Sequence, residues 1–408
     1  MDFKDSPEKQ LLNGSHRVST IDATLKRILP LKHSFGITRI ANVTGLDRVS
    51  VPVAIAVRPN ARSIAISQGK GATYDHAKAS ALMEAIEIWH AEHFEGEVYY
   101  ASAADLLAKH QMIDLSRLPR TPGPDPKATV RMHWVKATDL MNDTQKLVPL
   151  EMVHADYTHP LSSDCGYFPA STNGLASGNH LLEATCHAIC EVVERDALSV
   201  WHHLPSESQR ATRLDPASVT DPTHIATLEK FANAGLECAL WDVTSDIGVP
   251  TVLCIIYETD APDGHLGLGS GSHLDTNTAL HRAMNEAAQT RLNYITGARE
   301  DLFHNEYTTE GRQQKIDAFA ALLDGREGLR KISDIEGVVN QTLEADLDWL
   351  KAKLREAGIE EIALVNLTRE EFDIPVVRAI IPGLEAPHDD EAYIKGTRAT
   401  RAMSGEIE

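Results

Sequence analysis

Three stretches of the chain repeat one arrangement of hydrophobic and polar positions. Each has glycines, then a long helical segment whose apolar side backs polar residues at helical spacing. In the first, Gly69-Lys70-Gly71 leads into a predicted helix over 74–94. That helix is apolar at Ala81, Leu82, Ala85, Ile86 and Trp89 and polar at Ser80, Glu84 and Glu87. In the second, Gly174 and Gly178 lead into a helix on which Glu183, His187, Glu191 and Glu194 share one face. In the third, Gly269-Ser270-Gly271 leads into a helix carrying Arg282, Glu286 and Gln289. Like charges a helical turn apart repel, so one acidic stripe alone reads as a solvated face. Three built alike read as one shared site.

The rest of the pattern fits around these helices. A short helix is expected over Ile21, Leu25, Ile28 and Leu29, capped by Thr20 or Asp22 and stopped by Pro30. β-Branched runs at 36–48, 51–59 and 64–67 read as strands of one sheet. Further strands are expected near 130–136, 146–149, 237–243, 251–257, 361–366 and 376–381. Helices are expected over 101–110, 224–234 and 344–357, with Gly235 as a helix stop. The alternation predicts an α/β (α+β) mass, with helices packed on several small mixed sheets. Residues 1–387 form one domain with one compound site on this reading, and 388–408 a loosely held polar tail.

A formal charge of −20 over 408 residues leaves no basic field to offset phosphate repulsion. That argues against nucleic acid as a partner, while nucleotides that arrive with Mg2+ stay open. No run approaches a membrane span, and the N-terminus lacks the apolar core of an export signal. Five cysteines, an odd and sparse set, read as reduced thiols in the cytoplasm. Cys186 and Cys190, one helical turn apart, read as core packing.

Carboxylates gathered from three helices would protonate unless a cation joined them. Mg2+ suits an all-oxygen donor set and keeps water or phosphate as further ligands. Glycine turns would bring backbone N–H groups to phosphate, and Lys70, Arg195, Arg282 and Arg291 would match its charge. The pattern is that of a nucleoside triphosphate–Mg2+ site. It is not a P-loop, because Gly69-Lys70-Gly71 lacks the upstream glycine and the following Ser or Thr. A di-iron carboxylate site is the rival, with Glu87-Ile-Trp-His90 as one Glu-x-x-His pair. Ala197 and Gln289 stand where its second histidine is needed. No nucleophile motif occurs, and His93, His187, His202 and His203 read as packing or surface residues.

On these residues the chain resembles the YcaO family. Residues 67–73 with 79–87, 173–179 with 183–196, and 279–291 are similar to its three signatures. Gly36-Ile-Thr-Arg39 and Pro382-Gly-Leu-Glu385 fit as well, so the resemblance spans residues 15–387. It implies an ATP- and Mg2+-dependent enzyme that phosphorylates a peptide amide oxygen, which leaves as phosphate after a nucleophile takes the carbon. Attack by Cys, Ser or Thr would give a thiazoline or oxazoline. Attack by a sulfide donor would give a backbone thioamide in a ribosomally made peptide or protein. The resemblance assigns Mg2+ and the phosphates to Glu84, Glu87, Glu183, Glu191, Glu194 and Glu286. Arg17, Thr24, Lys70, Ser80, Asn179, Arg195, Arg282 and Gln289 complete the nucleotide site on this reading. Glu84, Glu191, Glu194 and Arg282 are the catalytic candidates. Ile88 stands where the first signature often has arginine, and the Pro-x-Pro-x-Pro ending of many ring-forming members does not occur. That leans toward thioamide formation with a TfuA-like partner. A ring-forming cyclodehydratase and a nucleotide-binding accessory subunit without turnover are the alternatives, and a homodimer is implied by the resemblance alone.

Overall fold

The computed structural model describes residues 8–12, 15–123, 125–160, 165–258, 265–324, 329–389 and 392–407. Among these residues are ten helices. They are α1 (Ile21–Ile28), α2 (Tyr74–Glu92), α3 (Ala103–Leu106), α4 (Leu181–His202), α5 (Ser206–Ala211), α6 (Pro222–Asn233), α7 (Thr276–Thr296), α8 (Thr309–Leu323), α9 (Leu343–Glu356) and α10 (Thr397–Met403). Arg39–Asn42, Val53–Val57 and Ile66–Lys70 form an antiparallel sheet, as the β-branched runs predict. A four-stranded antiparallel sheet runs Arg213–Leu214, Glu237–Asp242, Thr251–Tyr257, Gly267–Ser272. A seven-stranded sheet runs Leu175–Ser177, Val376–Ile380, Ala363–Asn366, Arg131–Asp139, Thr144–Pro149, Gln111–Met112, with Val98–Ser102 also paired to Arg131–Asp139. It alone is mixed among the described sheets, through the parallel pairing of Gln111–Met112 with Thr144–Pro149. Gln10–Leu12 and Ser15–Arg17 form a small hairpin.

The first and third glycine-bearing stretches differ from the turns that the sequence suggests. Gly69 lies inside strand Ile66–Lys70, and Gly267, Gly269 and Gly271 inside strand Gly267–Ser272. A Cβ on Gly69 would lie 2.1 Å from Ala77 O and Ala81 N of α2. On Gly269 it would lie 2.2 Å from Ala287 N, and on Gly271 2.3 Å from Ala279 O. Strand side chains on one face recur every second residue, and helix side chains on one face every third or fourth. Gly267, Gly269 and Gly271 therefore meet the Ala279, Ala283 and Ala287 row of α7, backbone against backbone. The second unit adds Gly174, whose φ of 79° suits glycine and whose Cβ would meet Ala379 O at 2.3 Å. The site helices start on side-chain caps, since Thr73, His180 and Asp275 accept from the N–H groups of His76, Leu182 and Asn277.

The apolar sides pack as the pattern implies. Ala81, Leu82, Ala85 and Ile86 of α2 are fully buried, and Cys186 and Cys190 of α4 lie in a cluster with Leu343, Leu347 and Leu350 of α9. Thr20 caps α1, as one of the two expected residues. Two expectations are corrected. The helix predicted over 101–110 shrinks to α3, because strand pairing takes Val98–Ser102; local helix propensity yields to the sheet. Residues 392–407 are not a loose tail. Ala399 and Ala402 are fully buried, and the Arg398 guanidinium reaches Asp196 of α4 at 2.8 Å. No helix among the described residues is long and apolar enough to cross a membrane.

If the glycine–alanine contacts set the position of the site helices, Gly69→Ala should destabilise the fold by about 3 kcal/mol through overpacking. Urea unfolding measures this as a lowered midpoint at constant slope. A change below about 0.5 kcal/mol would mean that α2 is free to shift outward.

Candidate active site

The alanine rows of α2 and α7 face their strands, and polar rows of α2, α4 and α7 turn toward one another. Between them lies a cavity of about 510 Å³. Fourteen of the residues assigned to the site in the sequence line it: Arg17, Thr24, Lys70, Ser80, Glu84, Glu87, Asn179, Glu183, Glu191, Glu194, Arg195, Arg282, Glu286 and Gln289. The stripes are therefore neither separate nor solvated.

The six carboxylates fall into two groups by their surroundings. Glu183 accepts from Arg17 Nη1 and Val18 N, each at 3.2 Å. Glu194 accepts from Ser270 Oγ at 2.6 Å and Ser272 N at 2.9 Å, both on the strand beneath α7. Glu286 takes Lys70 Nζ at 2.7 Å; burial raises its pKa, but Lys70 and Arg195 outweigh this and hold it below the usual range. These three are charge-compensated or fully bonded. Glu84 and Glu191 are the opposite case. Burial pushes each up to about 7, and the Gln68 N–H at 3.3 Å and the Arg195 charge only partly offset this. Glu87 is raised well above its usual range by burial and by the nearby Glu191 and Glu84 charges, although Ser177 N and Oγ donate to it at 2.8 and 2.9 Å.

Around them stand the cations Arg17, Lys70, Arg195, Arg282 and Arg299. Arg282 Nη1 donates to Ser272 O at 3.3 Å, and Thr24 Oγ1 donates to Asn179 Oδ1 at 2.9 Å. Two expectations change here, for Arg291 and for the Glu87–His90 pair. Arg291 turns away from the cavity and pairs with Asp47 at 3.1 Å and Glu258 at 3.0 Å. His187 lines the cavity as well, and burial beside Arg282 lowers its pKa well below the usual value. The Glu87–His90 pair does not face one site: Glu87 lines the cavity, while His90, 1% exposed, is not among its lining residues and packs its ring 5.6 Å from Phe35. The di-iron reading is left without its histidine. His93, His202 and His203 pack as expected, on Trp89, His388 and the Ser199 carbonyl.

Among the described residues no three acidic, histidine or cysteine side chains close on one point as a metal cage. The donor set nonetheless fits Mg2+ with a triphosphate. The oxygens are hard, three carboxylates lack full counter-charge, and an ion of this type commonly takes few protein ligands beside phosphate and water. The sequence reading missed Gln68, Asn293 and Arg299, which also line the cavity. Strand alternation was the available signal for Gln68, since it shares a strand face with Lys70.

Comparison with known proteins agrees with this geometry. Residues 68–385 match the family model described as YcaO cyclodehydratase, ATP- and Mg2+-binding. An uncharacterized protein in the tfuA 3′ region of Rhizobium leguminosarum bv. trifolii is 32% identical over 396 residues, 95% of this chain and 93% of its own. An uncharacterized protein of Methanothermobacter thermautotrophicus is 37% identical over 369 residues, 89% of this chain and 93% of its own. Among solved structures, YcaO from Methanopyrus kandleri bound with AMPPCP and Mg2+ superposes with a TM-score of 0.74 at 25% identity, over 96% of this chain and 98% of that one. A heterocyclase in complex with substrate and cofactor gives 0.79 at 23% identity, a likeness of fold, over 94% of this chain. The chain spans 54% of the length of that heterocyclase. The fold and site define an ATP- and Mg2+-binding α/β protein. The chain belongs to the YcaO family.

The raised carboxyls make stability depend on pH without ligand. Glu84 and Glu191 ordinarily titrate at 4.5 and in the fold at about 7. Between these values the native state keeps protons that the unfolded chain has released, so stability falls as pH rises through that window. Glu84→Gln and Glu191→Gln should each flatten the fall, and raise ligand-free stability near pH 8 by on the order of 1 kcal/mol. Thermal unfolding across pH reads this directly, and an unchanged slope in both variants would refute it.

Proposed function

We propose that this chain is an ATP- and Mg2+-dependent enzyme that activates a peptide amide oxygen by phosphorylation, so that sulfur can attack the carbon and leave a backbone thioamide. The observation that carries the reading is one cavity lined by six carboxylates and five cations, with Glu84, Glu87 and Glu191 left short of counter-charge. When bound, Mg2+–ATP supplies the phosphoryl group that makes the amide oxygen a leaving group.

The chain's own residues prepare for this. Glu84, Glu87 and Glu191 are the side chains with most to gain from a divalent cation, and would hold it. Glu183, Glu194 and Glu286 keep Arg17, the strand Ser270–Ser272 and Lys70 in place around it. Lys70, Arg195 and Arg282 set positive charge where phosphate oxygens gather, which stabilises developing charge more than any covalent nucleophile would. Asn179, Thr24 and Arg17 form the wall next to α1, Ser80 and Gln289 add neutral polar contacts, and Glu84, Glu191, Glu194 and Arg282 are the catalytic group. His187, held neutral, adds no further charge beside Arg282.

A relative encoded beside tfuA supports the thioamide product and a TfuA-like partner or sulfur donor. The cyclodehydratase wording of the family description favours the second reading, ring closure to a thiazoline or oxazoline. The products separate by mass, since sulfur replaces oxygen in one and water is lost in the other.

Glu84→Gln and Glu191→Gln should lower ATP turnover by about 100-fold or more with the fold retained. Phosphate release measured with and without peptide checks both this and the accessory-subunit alternative, which predicts no release at all. Full turnover in both variants would sink the assignment.

A further inference from the structure

Two neutral carboxamides, Gln68 and Asn293, stand among the charged side chains of the cavity. Along strand Ile66–Lys70, Ser67 and Gly69 face α2, so Gln68 and Lys70 share the opposite face. Lys70 meets Glu286, while the Gln68 side chain, 3% exposed, lines the cavity with no hydrogen-bond partner on either Oε1 or Nε2. Asn293 of α7 lines the same cavity, and its Oδ1 is likewise unpartnered. A buried carboxamide with both ends unpaired is costly to the fold, and its chemistry defines what would relieve it. Phosphate offers acceptors only and would leave the Gln68 carbonyl unpaired. A cation would leave the NH2 unpaired. A peptide group presents one N–H and one C=O and satisfies both ends together.

We propose that the Gln68 carboxamide holds the backbone amide of the peptide substrate, with Asn293 as a second acceptor, and so positions that amide beside the carboxylates. The assignment rests on the function proposed above. Its geometry is economical, because the Gln68 N–H already holds Glu84 at 3.3 Å. One residue then orients both the substrate amide and a carboxylate proposed for the metal. An adenine edge carries a similar donor–acceptor pair and is the competing occupant.

The test uses the full chain, Mg2+ with AMPPCP, and two probes: acetyl-Gly-Gly N-methylamide, and its analogue with an ester oxygen in place of the central N–H. Saturation-transfer NMR should show the wild type preferring the amide over the ester by at least about fivefold, the worth of one hydrogen bond. Gln68→Leu should bind both probes equally and weakly, with Mg2+–AMPPCP affinity and thermal midpoint unchanged. Gln68→Met takes its place if leucine unfolds the strand. The proposal is overturned if the wild type shows no amide preference, if the variant keeps one, or if the variant loses Mg2+–AMPPCP affinity, which would put the base on the carboxamide. A wild type that fails to bind Mg2+–AMPPCP would sink the nucleotide reading instead, and the probe preference is read independently of it.

Discussion

The close approach of glycine strands to alanine helices is the contact on which the site depends. Gly69 under Ala77 and Ala81, and Gly267, Gly269 and Gly271 under Ala279, Ala283 and Ala287, leave no room for a methyl group. Each helix axis is therefore fixed relative to its strand in both distance and rotation. Arg282 and Glu286 stand three residues after Ala279 and Ala283, and at 3.6 residues per turn that offset aims them beside the strand rather than into it or out to water. The same logic puts Glu84 three residues beyond Ala81. What the sequence shows as a repeated polar spacing is, in the fold, a set of rotations held by backbone contact.

That placement creates an electrostatic problem, which the fold solves only in part. Glu194 is pinned by two donors from the strand under α7, and Glu286 and Glu183 by cations from other segments. Glu84, Glu87 and Glu191 are left to burial and to one another. Further arginines would have relieved them and closed the site to a metal. At the position where an arginine is often found, Ile88 is 7% exposed and lines the cavity, adding apolar wall and no charge. The residual excess of negative charge is thus a property of the design, consistent with a family described as ATP- and Mg2+-binding.

Much of this was legible in the sequence, because amphipathic spacing survives folding. The three site helices, the strands 53–57, 251–257 and 376–380 and the fourteen assigned residues that line the cavity follow from period and pattern together with family resemblance. The glycines were harder. Their composition is that of turns, and only the paired strands Val53–Val57 and Thr251–Tyr257 make them strand residues. Arg291 sits at a plausible helical spacing, yet Asp47, more than two hundred residues away in sequence, captures it. His187 shares the acidic face of α4 and lines the cavity with it. Gln68 could have been inferred from Lys70, but its lack of a partner is visible only when every neighbour is in place.

The docked C-terminal segment follows from the same bookkeeping of charge around α4. Glu194, Arg195 and Asp196 are consecutive, so their side chains leave the helix in three directions. Glu194 goes to Ser270, and Arg195 to the cavity. Asp196 goes to a buried position where its pKa is pushed up to about 6 by burial, against the pull of Arg398. An unpaired carboxylate there would be costly to bury. Arg398 offsets this cost, meeting Asp196 at 2.8 and 3.0 Å while Glu385 N donates to the same carboxylate at 2.9 Å. Glu385 in turn accepts from Gly396 N and Ala399 N, which fixes the start of α10. The last described helix is therefore tied to α4 by two carboxylates and one guanidinium.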